Sequence, residues 1–168
     1  MAISRIDPSQ NEFLANLEAR SKQPNPFFRV MAHRPAALQH FVPFYAAVTG
    51  PGSLDRRQKE LAYLAASLTN RCAFCTAAHT AGARRAGIGE GELRALEAAD
   101  YSGFSAPEQA LLHYARELTR DARPSEAARG ALDAHFSEEQ IVELTLVVGI
   151  ANFTNRFNNG LGILPEGQ

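Results

Sequence analysis

The sequence has little that would draw it out of solution or onto a charged partner. Its 17 Lys and Arg residues nearly balance 18 Asp and Glu, leaving a net charge of −1, so neither nucleic acid nor an anionic membrane surface is indicated as a partner. The opening stretch MAISRIDPSQNEF lacks the apolar core of a signal peptide, and no apolar run reaches the length of a membrane span; the expectation is a cytoplasmic protein with no membrane partner. β-branched alternation is scarce, which argues against a sheet. Only two cysteines are present, too few for a disulfide framework. What is there is ordinary for a soluble globular chain: 45% apolar and 21% charged residues over 168 positions, enough for one domain, residues 1–168, with a proper core.

Helical periodicity dominates, and the fold class it predicts is all-α. Residues 8–20 read as an amphipathic helix with Phe13, Leu14 and Leu17 on one face. The segment SKQPNPF, with two prolines, reads as a loop. Pro35 opens a second helix, and Pro43 predicts a kink or break inside it. Ser53 or Asp55 caps the next helix, which runs to about Leu68; Thr69-Asn70-Arg71 interrupts it, and Asn70 is the expected cap of a new helix over Cys72 to Ala86, closed by Gly87 and Gly89. Further helices are expected over 90–99, Pro107–Asp121 (with Ala110, Leu111, Tyr114, Ala115 and Leu118 inward) and Ser125–His135. A Ser137-x-x-Gln140 capping box then opens a long last helix, apolar enough through Ile150 to be buried in the core or at a subunit interface. The pairs Arg56-Arg57 and Arg84-Arg85 read as solvated faces or loop ends.

A faint internal repeat accompanies this pattern. A shift of 82 residues lays LDRRQKELAYLAASLTN over FSEEQIVELTLVVGIAN, matching Gln58 with Gln140, Asn70 with Asn152, Leu64 with Leu146 and Leu68 with Ile150. The two copies, about 54–88 and 136–164, suggest two similar helical hairpins, of which the first alone carries cysteine.

Both cysteines fall in the stretch Glu60 to His79, ELAYLAASLTNRCAFCTAAH. Two cysteines placed at random in a chain of this length would stand three apart only about once in a hundred sequences, and in a reducing compartment such a pair is catalytic or metal-binding rather than structural. His79 follows Cys75 by one helical turn, so its imidazole can accept the thiol proton or stabilise the thiolate. Were residues 60–79 one unbroken helix, Cys75, His79 and Cys72 would lie at about 60°, 100° and 120° from Glu60. The interruption at 69–71 instead places both cysteines in the first turns of a new helix, with Glu60 facing them from the preceding one. A helix start favours the thiolate, the form that attacks a peroxide oxygen. The resulting sulfenic acid can condense with a second cysteine, and Glu60 can serve as proton donor or relay.

Blander readings exist for each residue. His79 can be a surface or structural histidine, and Glu60 an exposed residue paired with Arg56 or Arg57. A zinc site would use Cys72, Cys75 and His79 with Glu60, but structural zinc draws on two separated pairs and no second pair follows. His33, His40, His113 and His135 have no such company and read as structural or surface residues. No βαβ pattern surrounds the cysteines, which disfavours a thioredoxin-like fold.

Glu60, Cys72, Cys75 and His79 together form E-x11-C-x2-C-x3-H, which resembles the active-site motif of the alkylhydroperoxidase D (AhpD)-like group in the carboxymuconolactone decarboxylase superfamily. RVMAHRPAAL before the motif, AAHTAGARRAGI after it and NFTNRFNNGLG near the end resemble its peroxidase-related branch, so the resemblance covers roughly residues 25–164. It implies an AhpD-like helical domain assembling as trimers or hexamers, and reduction of organic hydroperoxides through a redox-active Cys72–Cys75 disulfide with no other cofactor. By that motif Cys75 attacks the peroxide, Cys72 resolves, His79 is the base and Glu60 belongs to the proton relay. The implied reductant is a lipoylated or thioredoxin-like protein dithiol. AhpD has a histidine between its cysteines where this chain has Phe74, which points to a shorter relay. Two other functions remain as alternatives: a decarboxylase-like lyase, for which a dithiol has no use, and a non-enzymatic redox-sensing oligomer.

Overall fold

The computed structural model describes residues 3–21 and 24–165, and within them every regular element is helical. After a short 3-10 turn at Pro8–Gln10 come α1 (Glu12–Ser21), α2 (Pro26–Met31), α3 (Pro35–Thr49), α4 (Arg56–Thr69) and α5 (Ala73–Arg85). They are followed by α6 (Glu90–Ala98), α7 (Ala106–Asp121), α8 (Glu126–Asp133) and the long α9 (Glu138–Leu161). The all-α expectation holds.

The centre of the molecule is α4. Every residue from Leu61 to Ser67 is buried, and the helix packs against α5, α7 and α9. Its start is fixed by a reciprocal cap, in which the Asp55 carboxylate accepts from Gln58 N–H while the Gln58 side chain accepts from Asp55 N–H. The same device, with Ser137 and Gln140, starts α9, and the two helices begin at Arg56 and Glu138, the offset of the internal repeat. Asn70 and Asn152, matched by that repeat, touch: Asn70 Nδ2 donates to Asn152 Oδ1 at 2.9 Å. The copies diverge at this point, because α4 stops there and α9 continues to Leu161.

The break after α4 is built differently from the sequence expectation. Asn70 does not cap α5; it is the C-cap of α4, and Cys72 is the N-cap of α5. Arg71 N–H bonds Leu68 O at 3.1 Å and Cys72 N–H bonds Ser67 O at 2.9 Å, the two bonds of a Schellman ending. The left-handed residue that this ending needs is Arg71, at φ 52°, where glycine is usual. The Asn70 side chain, anchored on Asn152 and Asn155, holds the turn. At the other end of α5 Gly87 (φ 83°) fills the corresponding place, as expected.

Three further expectations need correction. Residues 24–27 of SKQPNPF are not all loop: Asn25 caps α2, its Oδ1 accepting from Phe27 N–H at 3.0 Å, with Pro26 in the first turn; residues 22–23 of that stretch lie outside the described residues. Pro43 does not break α3, which runs through it; Pro43 and Gln39, whose carbonyl loses its helical donor, are both exposed, so water can serve that carbonyl. Arg57 is neither a solvated face nor a partner of Glu60: it pairs with Glu92 and Glu108, tying α4 to α6 and α7.

A further ion pair, with its lysine buried, locks α9 to the start of α4. Lys59, 6% exposed, pairs with Glu143 and also donates to Val48 O and Gly50 O. Glu143 Oε2 accepts from Ser53 Oγ at 2.6 Å and Leu54 N–H at 2.8 Å. Burial by itself would raise the Glu143 carboxyl, but donation from Lys59, Ser53 and Leu54 outweighs it and brings the group from 4.5 down to about 2. A carboxyl depressed on folding stabilises the fold fully above its unfolded value and loses that contribution as pH falls through its folded value. Glu143→Gln should therefore lower the unfolding free energy by about 3 kcal/mol at neutral pH, measured by urea denaturation. The difference from wild type should shrink as pH falls from 4.5 towards 2.

Candidate active site

The break at residues 70–72 turns α5 back along α4, so the two helices run antiparallel. Cys72 sits at the junction and Cys75 in the first turn of α5; both are free thiols, 1% and 4% exposed. One turn further on α5, His79 meets Glu60 of α4, with 2.9 Å between His79 Nδ1 and Glu60 Oε2. A carboxylate can only accept, so in the neutral imidazole Nδ1 carries the proton and Nε2 is the basic nitrogen. Nε2 stands 3.4 Å from the Tyr45 hydroxyl, and the Tyr63 ring stacks on the imidazole with centroids 3.5 Å apart. The Glu60–His79 contact requires Gly82. A Cβ built there would stand 2.3 Å from Glu60 Oε1, so the carboxylate occupies the space that a side chain would fill. Arg56 lies at the edge of the same carboxylate, 4.0 Å away and largely exposed.

All four residues singled out in the sequence thus lie along one seam, but as two pairs rather than one cluster. Among the described residues no hydrogen bond joins Cys75 to His79. They share instead the wall of a chamber of about 110 Å³, lined also by Phe27, Phe41 and Phe74. The thiol has its own partners, which come from α9: Asn158 Nδ2 lies 3.2 Å from Cys75 Sγ, and Thr154 Oγ1 lies 3.7 Å from it. Thr154 in turn bonds the Tyr63 hydroxyl at 2.6 Å. On the far side of the Tyr63–His79 stack, a wider cleft of about 760 Å³ reaches Glu60 and is bordered by Arg56 and Arg85. His33, His40, His113 and His135 are all exposed, and none lines the chamber.

The two thiols are driven apart electrostatically. The Cys72 thiol donates to Cys75 and is the largest cause of the lowering of Cys75, from 9.0 to about 6; burial opposes the shift, and Asn155, Thr154 and Asn158 add to it. The same hydrogen bond, together with burial, pushes Cys72 upward. Cys75 is therefore the anion and Cys72 the proton-bearing neighbour. Burial raises the Tyr45 phenol to about 12 and lifts Tyr63 well above 10.0, so both act as neutral hydroxyls.

Sequence reading alone missed Tyr45, Tyr63, Gly82, Thr154, Asn155 and Asn158. A usable signal existed for the last group. Thr154 and Asn158 are four apart on one face of a helix, just beyond its apolar run through Ile150.

Comparison with known proteins bears on the family and the fold. The model of the carboxymuconolactone decarboxylase family matches residues 35–117. The uncharacterized protein YdfG of Bacillus subtilis is 32% identical over 117 residues, 68% of this chain and 80% of its own length. A protein of unknown function from Agrobacterium tumefaciens, described as a candidate antioxidant defence protein AhpD, superposes with a TM-score of 0.75 at 29% identity, covering 80% of this chain and 94% of its own. The debrominase Bmp8, solved in complex with 2,3,4-tribromopyrrole, superposes with a TM-score of 0.82 at 18% identity, covering 99% and 90% of the two chains; at that identity the likeness is one of fold.

The Gly82 contact generates a double-mutant test. In wild type, Gly82→Ala should reduce the unfolding free energy by about 1–2 kcal/mol, since overlap with Glu60 exceeds the gain in helix propensity. In a Glu60→Ala background the same change should stabilise by up to about 1 kcal/mol. Denaturant titration of the four proteins measures both, and equal effects in the two backgrounds would refute the close approach.

Proposed function

The chain belongs to the carboxymuconolactone decarboxylase family as an AhpD-like member, and from that premise we propose that it is a dithiol peroxidase that reduces organic hydroperoxides. The observation that carries this reading is the pair of opposed thiols. Cys75 is held as an anion in the first turn of α5, with a protonated Cys72 beside it. The description of the Agrobacterium relative as an antioxidant defence protein agrees with it.

In this reading Cys75 Sγ attacks the terminal oxygen of the hydroperoxide. The S–O bond forms as the O–O bond breaks, giving a sulfenic acid and an alkoxide. The proton released by Cys75 is held on His79 Nε2 and returns from there, by way of the Tyr45 hydroxyl, to the alkoxide, while Glu60, bonded to Nδ1, holds the imidazole in place. Cys72 then attacks the sulfenic sulfur, releasing water and forming the Cys72–Cys75 disulfide. An external dithiol restores both thiols. Because the two cysteines are so deeply buried, a slender arm such as a lipoyl group suits the site better than the flat face of a thioredoxin-like protein. Phe74, in place of the histidine of AhpD, makes the chamber wall apolar and leaves proton traffic to His79 and its partners.

The apolar side of the molecule supports assembly. Val142 is 60% and Phe153 49% exposed, and with Phe44 and Leu146 they border a groove of about 780 Å³ between α3 and α9. Contiguous apolar surface of this kind marks an interface, and the proposed occupant is a second copy of the chain in a homotrimer or hexamer.

Peroxide consumption with excess dihydrolipoamide tests the activity. Cys75→Ser should abolish turnover, whereas Cys72→Ser should consume one equivalent and stop at a sulfenic acid or mixed disulfide; full turnover in Cys75→Ser would refute the assignment. Since the thiolate is the reactive form, the single-turnover rate should climb through pH of about 6 and level off above it, instead of climbing until beyond the ~8.5 of a free thiol. The mass in solution should exceed that of one chain and fall on Leu146→Asp.

A further inference from the structure

Asn158 has no exposed surface, and its side chain lines the chamber around Cys75. Nδ2 faces the sulfur at 3.2 Å, whereas Oδ1 has no hydrogen-bond partner, the one such buried side-chain nitrogen or oxygen among the described residues. A bare buried acceptor is costly to keep and calls for a ligand or another reason. An amide can be turned end for end, but an ionised sulfur has no proton to give. Only Nδ2 can face it, and Oδ1 is the end left free.

The rest of the chamber limits what can use that acceptor. Its walls carry the rings of Phe27, Phe28, Phe41 and Phe74, and its volume is about 110 Å³. That is room for three or four waters at roughly 30 Å³ each, and it is smaller than the ~300–1,000 Å³ of ordinary small-molecule sites. An occupant must be slim, must carry a donor for Oδ1 and must set an electrophilic atom before Sγ. A hydroperoxide group meets all three demands, because the oxygen that bears its hydrogen is also the one a thiolate attacks.

We propose that Asn158 recognises the hydroperoxide group, Oδ1 accepting from its terminal O–H while Nδ2 holds Cys75 Sγ, in a chamber that admits slim hydroperoxides –OOH first. The proposal rests on the peroxidase reading above. The thiolate donates an electron pair to the terminal oxygen, and the O–O pair leaves on the other oxygen, which takes one proton to become an alcohol. Sulfur is oxidised by two electrons and the peroxide reduced by two. The hydroxyl moves to sulfur with its hydrogen, so the sulfenic acid O–H keeps the same bond to Oδ1 and is held in place for Cys72.

The test compares two reagents that need the same thiolate, so that any change in Cys75 ionisation cancels. Ethyl hydroperoxide carries an O–H donor; methyl methanethiosulfonate carries none. In a Cys72→Ser background, which isolates Cys75, the ratio of their single-turnover rates should fall about tenfold on Asn158→Leu. Asn158→Ala, which removes the amide without adding bulk, is read in the same way if the leucine variant does not fold. An unchanged ratio overturns the role of Asn158 while leaving the peroxidase reading in place. No oxidation of the parent protein by ethyl hydroperoxide overturns both. Cumene hydroperoxide reacting as fast as the ethyl compound, relative to a free thiol, would overturn the size selection.

Discussion

Burial of α4 is the constraint from which the rest of the structure follows. A helix enclosed from Leu61 to Ser67 cannot leave its polar groups to water, and each unmatched group would cost about 1–3 kcal/mol. Four polar side chains in or just before that stretch are met from neighbouring helices. Lys59 is met by Glu143, Glu60 by His79, Tyr63 by Thr154 and Ser67 by Asn155. Three of those partners lie on α9 and one on α5, so satisfying α4 fixes the position of both helices that carry the site. The thiol is drawn in by the same arrangement, because Thr154 serves Tyr63 and Cys75 together.

Much of this was legible in the sequence where the signal is local. The capping pairs Asp55–Gln58 and Ser137–Gln140 mark helix starts within one turn, and the motif from Glu60 to His79 lies along one pair of adjacent helices. The helix ending at Asn70 was misread because its left-handed position is filled by Arg71, and a Schellman ending is recognised by glycine. What permits arginine there is the bond from Asn70 to Asn152, 82 residues away, which no local window contains. Pro43 misled for a related reason: its cost depends on whether the orphaned carbonyl is wet, and exposure is decided by tertiary packing. Tyr45 and Tyr63 carry no local signal, and the spacing of Thr154 and Asn158 marks a shared helix face without saying what it meets, because their chemistry exists only once α3, α4 and α9 converge on α5. Gly82 is the subtlest of these. Within α5 it reads as a weak helix position, and its purpose is the space it leaves for a carboxylate on another helix.

The sequence match at an offset of 82 residues picks out two helices that meet at the site. The second copy is no hairpin but the single helix α9; what the match does reflect is that α4 and α9 share a start signal, lie side by side and meet through their matched asparagines. One half then breaks its helix and begins a new one, and the new helix start is where the cysteines stand. The other half runs on without a break and delivers Thr154, Asn155 and Asn158 to the same place. One copy thus supplies the reactive groups and the other their surroundings.

Depth and reactivity are reconciled here by neighbours rather than by exposure. Burial alone disfavours a thiolate, and both cysteines are almost fully enclosed, so an isolated thiol in either position would be inert. The difference lies in which groups point at which sulfur. Cys75 receives a hydrogen bond from Cys72 and others from α9, whereas Cys72 gives up its proton's hydrogen bond to Cys75 and gains little in return. One interaction therefore moves the two thiols in opposite directions, and in the proposed peroxidase reaction it would set a single order of events: the lowered sulfur attacks, and the raised sulfur keeps its proton until an oxidised partner stands beside it. A symmetric pair would have no such order. The asymmetry comes from Cys75 lying in the first turn of α5 under α9 while Cys72 lies at the junction, three residues earlier. In the proposed reaction, the break in the helix therefore sets which cysteine would be the nucleophile.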